Sequence, residues 1–364
     1  MRLRFFKESE FIRMTNESVS IASLGVATPP YAVKQSEAEA FLRNHYSKVL
    51  ESKSLSKMLK IFAHPSVLKR HIAVKDLECL VNEDPDRRIA RFTHWAVELS
   101  YQAIDNALAQ ARLTTDDITG LVVNTCTGYI CPGISTYLLE KLGLSDNIRT
   151  HDLVGSGCGG SIPNLQVCRD MIQGNRDDVV VSVSVEICSA TFQMADDLSL
   201  IVSNAIFADG AAASVRWSRP GKLKLVASAS RCDTQYREDI RYIYRNGQLH
   251  NQLSLQLSEF AGKTVARVVM DLLTSRGLKL EDIKHWAFHP GGEKVINAVR
   301  DELRIPEIKL QATRKVLAEY GNMSSPTVLF VLKEILDKGI TPGDWCIIVA
   351  FGAGLSAHGF LLKA

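Results

Sequence analysis

Apolar positions recur at helical spacing over 36–49, 86–111, 162–173, 258–275, 293–303 and 324–338, so each stretch predicts a helix with a buried face. Between them lie short β-branched or apolar runs at 19–26, 120–124, 179–185, 211–215, 225–229, 286–288 and 345–351, which predict buried strands. Helices alternating with buried strands predict an α/β architecture.

The order of these elements repeats loosely. In the first half a long helix leads to TDDI at 115–118 and then to a strand running into NTCTG at 124–128. In the second, a long helix leads to EDI at 281–283 and then to a strand running into HPGG at 289–292. Each half then supplies a further helix and a late apolar strand, 179–185 and 345–351. The expected organisation is a flexible arm at 1–16, a first α/β half at 17–218 and a similar second half at 219–364, divided at RPG, 219–221. A duplicated unit of this kind would place an active site between its halves.

Composition narrows the function. With 364 residues, 46% of them hydrophobic, the chain has material for a large core. A net charge of only +3, with acids and bases mixed throughout, gives no field that would favour nucleic acid. The eight cysteines, at 79, 126, 131, 158, 168, 188, 232 and 346, form neither CxxC pairs nor a dense disulfide framework, which fits reduced thiols in a cytoplasm. The opening MRLRFFKESEF interrupts its apolar residues with charges, unlike a signal peptide, and no run reaches the roughly 18 apolar residues of a membrane-spanning helix. A cytoplasmic protein without an integral membrane segment is expected. The histidines show neither HExxH nor a Cys/His ligand spacing, so no metal and no bound cofactor is expected.

Three stretches carry candidate chemistry. In VGSGCGGSIPN, 154–164, a glycine-rich turn runs straight into a helical pattern. Backbone N–H groups and the helix dipole at such a turn favour a thiolate at Cys158, and the glycines let a substrate approach closely. The bland alternative is a buried structural cysteine. HPGG ends an apolar strand, where Phe288 and Pro290 would hold the His289 imidazole; a satisfied histidine in a tight turn is the alternative. GNMSS, 321–325, puts Asn322 and Ser324 at a turn before an apolar helix, where either residue could simply be an N-cap. Cys, His and Asn together also occur in papain-like proteases, but the cysteine signature of those enzymes is absent.

With these three motifs the sequence resembles the type III polyketide synthases, the chalcone and stilbene synthase superfamily with its bacterial relatives. Supporting matches are EICSATF at 186–192, AIFADGAA at 205–212 and AFGAGL at 350–355. The resemblance runs from about residue 19 to the C-terminus. It implies a thiolase-type fold of αβαβα layers, a homodimer, and a buried tunnel for coenzyme A thioesters. It also implies Cys158 as the acyl-accepting nucleophile, and His289 and Asn322 as the pair that binds the thioester carbonyl. Phe207 resembles the aromatic gatekeeper between coenzyme A tunnel and cavity. Thr191 and Cys188 resemble cavity-shaping positions, Cys131 the dimer-facing cavity wall, and Asn251 stands nearest to a second, aromatic gatekeeper of the plant enzymes. Gly292 and Ser324, inside the second and third motifs, are placed with them among the substrate-binding positions.

The basic cluster for coenzyme A is only partly recognisable in Lys57, Lys60, Lys69 and Arg70, which read equally as a solvated helix face. Ala350 and Ala353 replace the first glycine and the proline of the plant GFGPG loop. Cys188 and Asn251 are small where plant relatives carry threonine and an aromatic ring, which implies a fatty acyl starter and an alkylpyrone or resorcinol-type product. The implied reaction loads an acyl-coenzyme A starter on Cys158 and extends it by decarboxylative Claisen condensation with malonyl-coenzyme A. The alternatives are a single-round condensing enzyme of the same fold, such as a ketoacyl carrier-protein synthase or a hydroxymethylglutaryl-coenzyme A synthase relative, and a non-catalytic assembly subunit.

Overall fold

The computed structural model describes residues 13–245 and 247–364. The first half contains β1 (Arg13–Ala27), β2 (Ala32–Lys34), α1 (Gln35–Tyr46), α2 (Ser52–Phe62), β3 (Lys69–His71), α3 (Pro85–Ala111), β4 (Gly120–Asn124), α4 (Ile134–Leu142), β5 (Arg149–Leu153), α5 (Ser161–Gly174), β6 (Val180–Ile187), α6 (Leu198–Ile206) and β7 (Asp209–Trp217). The second contains β8 (Leu223–Cys232), β9 (Ile240–Arg245), β10 (Gln248–Leu253), α7 (Leu257–Thr274), β11 (Ile283–Phe288), α8 (Glu293–Leu303), α9 (Gln311–Tyr320), α10 (Thr327–Lys338), β12 (Trp345–Gly352) and β13 (Ser356–Lys363). Of the expected N-terminal arm, residues 1–12 lie outside the described residues, whereas 13–16 belong to β1, where Arg13 pairs with Ser228 and Met14 with Ala227.

Nine strands form one sheet in the order β5-β4-β6-β7-β1-β8-β13-β12-β11. Read outward from the β1–β8 pair, the two sides match. An antiparallel neighbour, β7 or β13, is followed by a fully or almost fully buried strand, β6 or β12, which then pairs in parallel with β4 or β11. The connections match as well: α3 and α7 each lead through a short 3-10 turn, Thr115–Asp117 or Leu280–Asp282, into β4 or β11. The expected division at 219 falls in the loop between β7 and β8.

The layers follow from which faces are apolar. In α3 the buried residues Phe92, Ala96, Leu99, Ala103 and Ala107 form one stripe, which packs on β1, β6 and β7 and leaves the other face to water. Its start is fixed by Asp84, whose carboxylate accepts from the amides of Asp86 and Arg87, with Pro85 at the first helical position. At Gly25 of β1 a Cβ would collide with the carbonyl of Ala103 and stand 2.6 Å from the amide of Ala107, so only glycine lets strand and helix meet this closely. Helix α7 covers β8 and β13 of the other half in the same way. By contrast, Thr327 to Leu332 of α10 are buried without interruption, so this helix has no solvent face there. Helices α10 and α5 touch strands of both halves and form the middle layer of an αβαβα arrangement, as expected. Among the described residues no helix is long and apolar enough to cross a membrane.

Candidate active site

Cys158 sits in the 3-10 turn Gly157–Gly159 immediately before α5. The last residue of β12 leans on this turn, because a Cβ at Gly352 would collide with the Ser156 carbonyl and the Gly159 amide. The sulfur accepts a hydrogen bond from Ser324 Oγ at 3.3 Å, and the same hydroxyl lies 3.5 Å from Cys126 Sγ. The Cys126 thiol in turn donates to the buried carboxylate of Glu186 at 3.3 Å. Glu186 also accepts from the Thr127 amide at 3.1 Å and from Ser325 Oγ at 2.6 Å, so the loop after β4, the end of β6 and the 321–325 turn are tied together behind the nucleophile.

His289 follows β11, its amide donating to the Val349 carbonyl at 3.0 Å. The ring is fully buried, stands edge-on to Phe351 at 5.5 Å between centroids, and has no hydrogen-bond partner on either nitrogen among the described residues. Asn322 is clamped through its backbone: its N–H donates to Ile206 O at 2.7 Å and its carbonyl accepts from Ala208 N at 2.9 Å. These bonds form a β-bridge to Phe207. Its side-chain oxygen accepts from the Ser324 amide at 2.8 Å. Neither Asn322 nor Ser324 is an N-cap; α10 starts at Thr327, after Pro326.

Cys158, His289 and Asn322 line one cavity of about 600 Å³, together with Phe207, Gly292 and Phe351. Lys57 and Lys60 of α2 line the same cavity, as does Lys294, a cation the sequence reading missed. The other two candidate coenzyme A ligands are elsewhere. Lys69 pairs with Glu319 at 2.9 Å and does not line the cavity. Arg70 is buried, with Nη1 donating to the carbonyls of Asn204 at 2.7 Å and Phe207 at 2.8 Å, so its guanidinium is unavailable to a phosphate in solution. A charged side chain in sequence is no guide to exposure when backbone carbonyls can take its protons.

Phe207 also lines a second, apolar cavity of only about 50 Å³ bounded by Cys188, Thr191, Asn251 and Arg70. That is space for a few waters. Asn251 is buried there and donates to Ser203 Oγ at 2.6 Å. Cys131 is exposed and lines neither cavity. Tyr242, on β9, was not singled out in the sequence. Burial and the neighbouring thiols Cys188 and Cys126 push its phenol well above the ordinary value, and Thr191 hydrogen-bonds to it. The sequence did hold a signal: Asn246-Gly247 between two β-rich runs marks a hairpin, which would have placed Tyr242 and Asn251 on paired strands.

Burial governs the charges. It pushes the Cys158 thiol up to about 12, against the hydrogen bonds from Ser324 and its own amide, and lowers the His289 imidazole to about 3. The thiolate expected from the helix N-terminus is therefore opposed by desolvation. Burial thus disfavours the charged form of each group, and both line the same cavity.

A thiolase-type fold with a cysteine, a histidine and an asparagine on one cavity at the seam of its halves defines a condensing enzyme. Residues 15–278 match the FAE1/type III polyketide synthase-like family, and residues 238–364 match the C-terminal domain of chalcone and stilbene synthases. The chain belongs to this family, and it is a transferase of the type III polyketide synthase kind, catalysing decarboxylative condensation. It is 29% identical over 370 residues to the 1,3,6,8-tetrahydroxynaphthalene synthase of Streptomyces peucetius, covering 96% of this chain and 94% of that one. It is 29% identical to the alpha-pyrone synthesis polyketide synthase-like Pks18 of Mycobacterium tuberculosis, covering 94% and 90%. The crystal structure of PKS-I from the brown alga Ectocarpus siliculosus superposes with a TM-score of 0.88 at 25% identity, over 96% of this chain and 99% of that one.

The Cys158 turn also packs against a half-buried histidine, His358. His358 Cδ2 lies 3.4 Å from where a Cβ on Gly159 would be, and Nδ1 is 2.9 Å from Ser230 Oγ. Burial lowers its pKa from 6.5 to about 4, so it is neutral in the fold. The unfolded chain binds this proton first, so the contribution to stability is complete above pH 6.5 and is lost as pH falls toward 4. Near pH 5 the loss amounts to about 2 kcal/mol. His358→Gln, which cannot titrate, should lose about 2 kcal/mol less than wild type between pH 7 and pH 5 in urea unfolding. Parallel losses in the two proteins would refute this.

Proposed function

We propose that Cys158 accepts the acyl group of an acyl-coenzyme A starter and that His289 and Asn322 drive its extension with malonyl-coenzyme A. The observation that carries this is the single cavity onto which all three side chains open, with Lys57, Lys60 and Lys294 beside them for an anionic carrier. In loading, the thiol attacks the thioester carbonyl, His289 takes its proton, and that proton leaves with the coenzyme A thiolate. Donors at the Cys158 turn and His289 hold the oxyanion that forms in between. In extension, the neutral imidazole N–H and the Asn322 amide hold the malonyl thioester oxygen while carbon dioxide departs. The enolate attacks the acyl thioester and releases Cys158 as thiolate, which takes a proton from water or attacks the next thioester directly, while His289 stays neutral. Each such donor contributes a factor of about 10² to 10³ in rate.

The starter has two readings. A fatty acyl group, leading to an alkylpyrone or resorcinol-type product, is supported by small Cys188, by the apolar lining beyond Phe207 and by the alpha-pyrone synthesis named for Pks18. A starter of few carbons is supported by the roughly 50 Å³ beyond Phe207, and this small volume favours it. A homodimer is also part of this reading: β5 is an edge strand of the sheet, followed directly by Val154, which is 63% exposed, and the loop after the neighbouring β4 exposes Tyr129 by 69%.

Asn322→Ala should accept an acyl group on Cys158 but lose malonyl decarboxylation by about a hundredfold or more. Loss of acylation with decarboxylation retained would mean the roles are wrongly assigned. For the starter, incubation with malonyl-coenzyme A and acyl-coenzyme A of graded length, read by product mass, should give best turnover with short chains. A long-chain optimum would favour the fatty acyl reading, and products with one added unit only would favour a single-round enzyme. Sedimentation should give the mass of two chains; one chain would contradict the dimer.

A further inference from the structure

We propose that Arg70 is a positioning residue for the malonyl-decarboxylating step, fixing the backbone bridge that aims Phe207 and Asn322 into the cavity. This rests on the reading of Asn322 given above. Helix α6 ends at Ile206, and past Ser203 O, which accepts from the Phe207 amide, its carbonyls have no intrahelical donor; Ala205 O accepts from Gln35 Nε2 at 2.8 Å. Arg70 Nη1 donates to two of the carbonyls there, Asn204 O and Phe207 O, and brings a cation to the negative end of the helix. Between those two carbonyls lies Ile206, whose own oxygen takes the Asn322 N–H.

The same side chain touches the other side of the bridge. Gly321, which precedes Asn322, has φ +73°, and a Cβ there would stand 2.7 Å from Arg70 Cγ, so the Arg70 stem lies directly against this turn. Among the described residues Arg70 forms no direct ion pair. Its charge is offset by Asp209, whose carboxylate is taken up by the amides of Ala73 and Ser189. Arg70 is thus held from β3 with its stem on the Asn322 turn and its head on the Phe207 turn. Removing the head leaves two buried carbonyls without a donor and frees the end of α6, against which Asn322 is registered. Cys158 hangs from a different element, the turn before α5, and its loading does not use Asn322.

The consequence is selective. A displacement of about 1 Å at a reacting group can cost about a hundredfold in rate. In Arg70→Met, which keeps the stem on Gly321 and loses the donors, malonyl-coenzyme A decarboxylation should fall about a hundredfold while acylation of Cys158, followed by intact-protein mass, stays near the wild-type rate. Arg70→Lys should restore part of the loss. In an Asn322→Ala background Arg70→Met should add little, because both changes act on one interaction. Amide exchange at Asn322 and Ala208 should quicken in Arg70→Met. If that variant does not fold, Arg70→Lys is read by the same measurements and should show the smaller version of the same split. Equal falls in acylation and decarboxylation, unchanged decarboxylation, or unchanged exchange at Asn322 would overturn the proposal. A wild type that takes up acyl groups but releases no carbon dioxide would instead refute the role of Asn322, and exchange at Asn322 would still decide whether Arg70 holds the bridge.

Discussion

Two backbone hydrogen bonds hold the seam on which the site depends: Asn322 N–H to Ile206 O and Ala208 N–H to Asn322 O. They pin a turn of the second half, just ahead of its middle-layer helix, to the segment of the first half that carries Phe207. The turn they pin carries two further contacts. Ser324, two residues on, reaches back to the Cys158 sulfur, and Ser325 reaches Glu186 at the end of β6. His289 comes to the same cavity at the end of β11, which pairs in parallel with β12, the strand that leads to Gly352 and the Cys158 turn. The cavity thus draws residues from segments on either side of the β7–β8 loop.

The second constraint is the low polarity of the cavity floor. Burial raises the thiol and lowers the imidazole, so a separated charge on either is costly, while a proton passed between them creates two charges that compensate each other. A neutral imidazole with both nitrogens free is also suited to a reaction that needs an acceptor in one step and a donor in the next. The lysines stand apart from this floor: Lys57 and Lys60 lie on α2, and Lys294 lies on α8.

Much of this was legible in the sequence, for reasons that differ by element. The helix at 86–111 was clear because its apolar stripe, Phe92 to Leu108 in the structure, holds for more than four turns of about 3.6 residues. Strands β6 and β12 were clear because both faces are buried and the residues run apolar or small, in β6 as far as Glu186. Helix α10 starts three residues later than its apolar pattern suggested, since Ser324 and its neighbours are engaged in the turn at Asn322. The polar RTHDL of β5 hid an edge strand, and nine mostly apolar residues of α6 are too few to show a period. Arg70 was misread because sequence reports charge and not depth. Tyr242 was missed because its place beside Cys188 and Thr191 arises from the pairing of β9 with β10 and the docking of that hairpin on α6.

Two other thiols stand near Cys158, the residue proposed to carry the acyl chain: Cys126 shares its Ser324 hydroxyl, and Cys188 lines the small cavity beyond Phe207. The most direct measurement is to incubate the protein with an acyl-coenzyme A alone, quench it, digest it and locate the added mass by peptide sequencing. The account predicts a single acyl group on the peptide containing Cys158, discharged when malonyl-coenzyme A is added. An acyl group on Cys126 or Cys188, or one on Cys158 that malonyl-coenzyme A leaves in place, would contradict it.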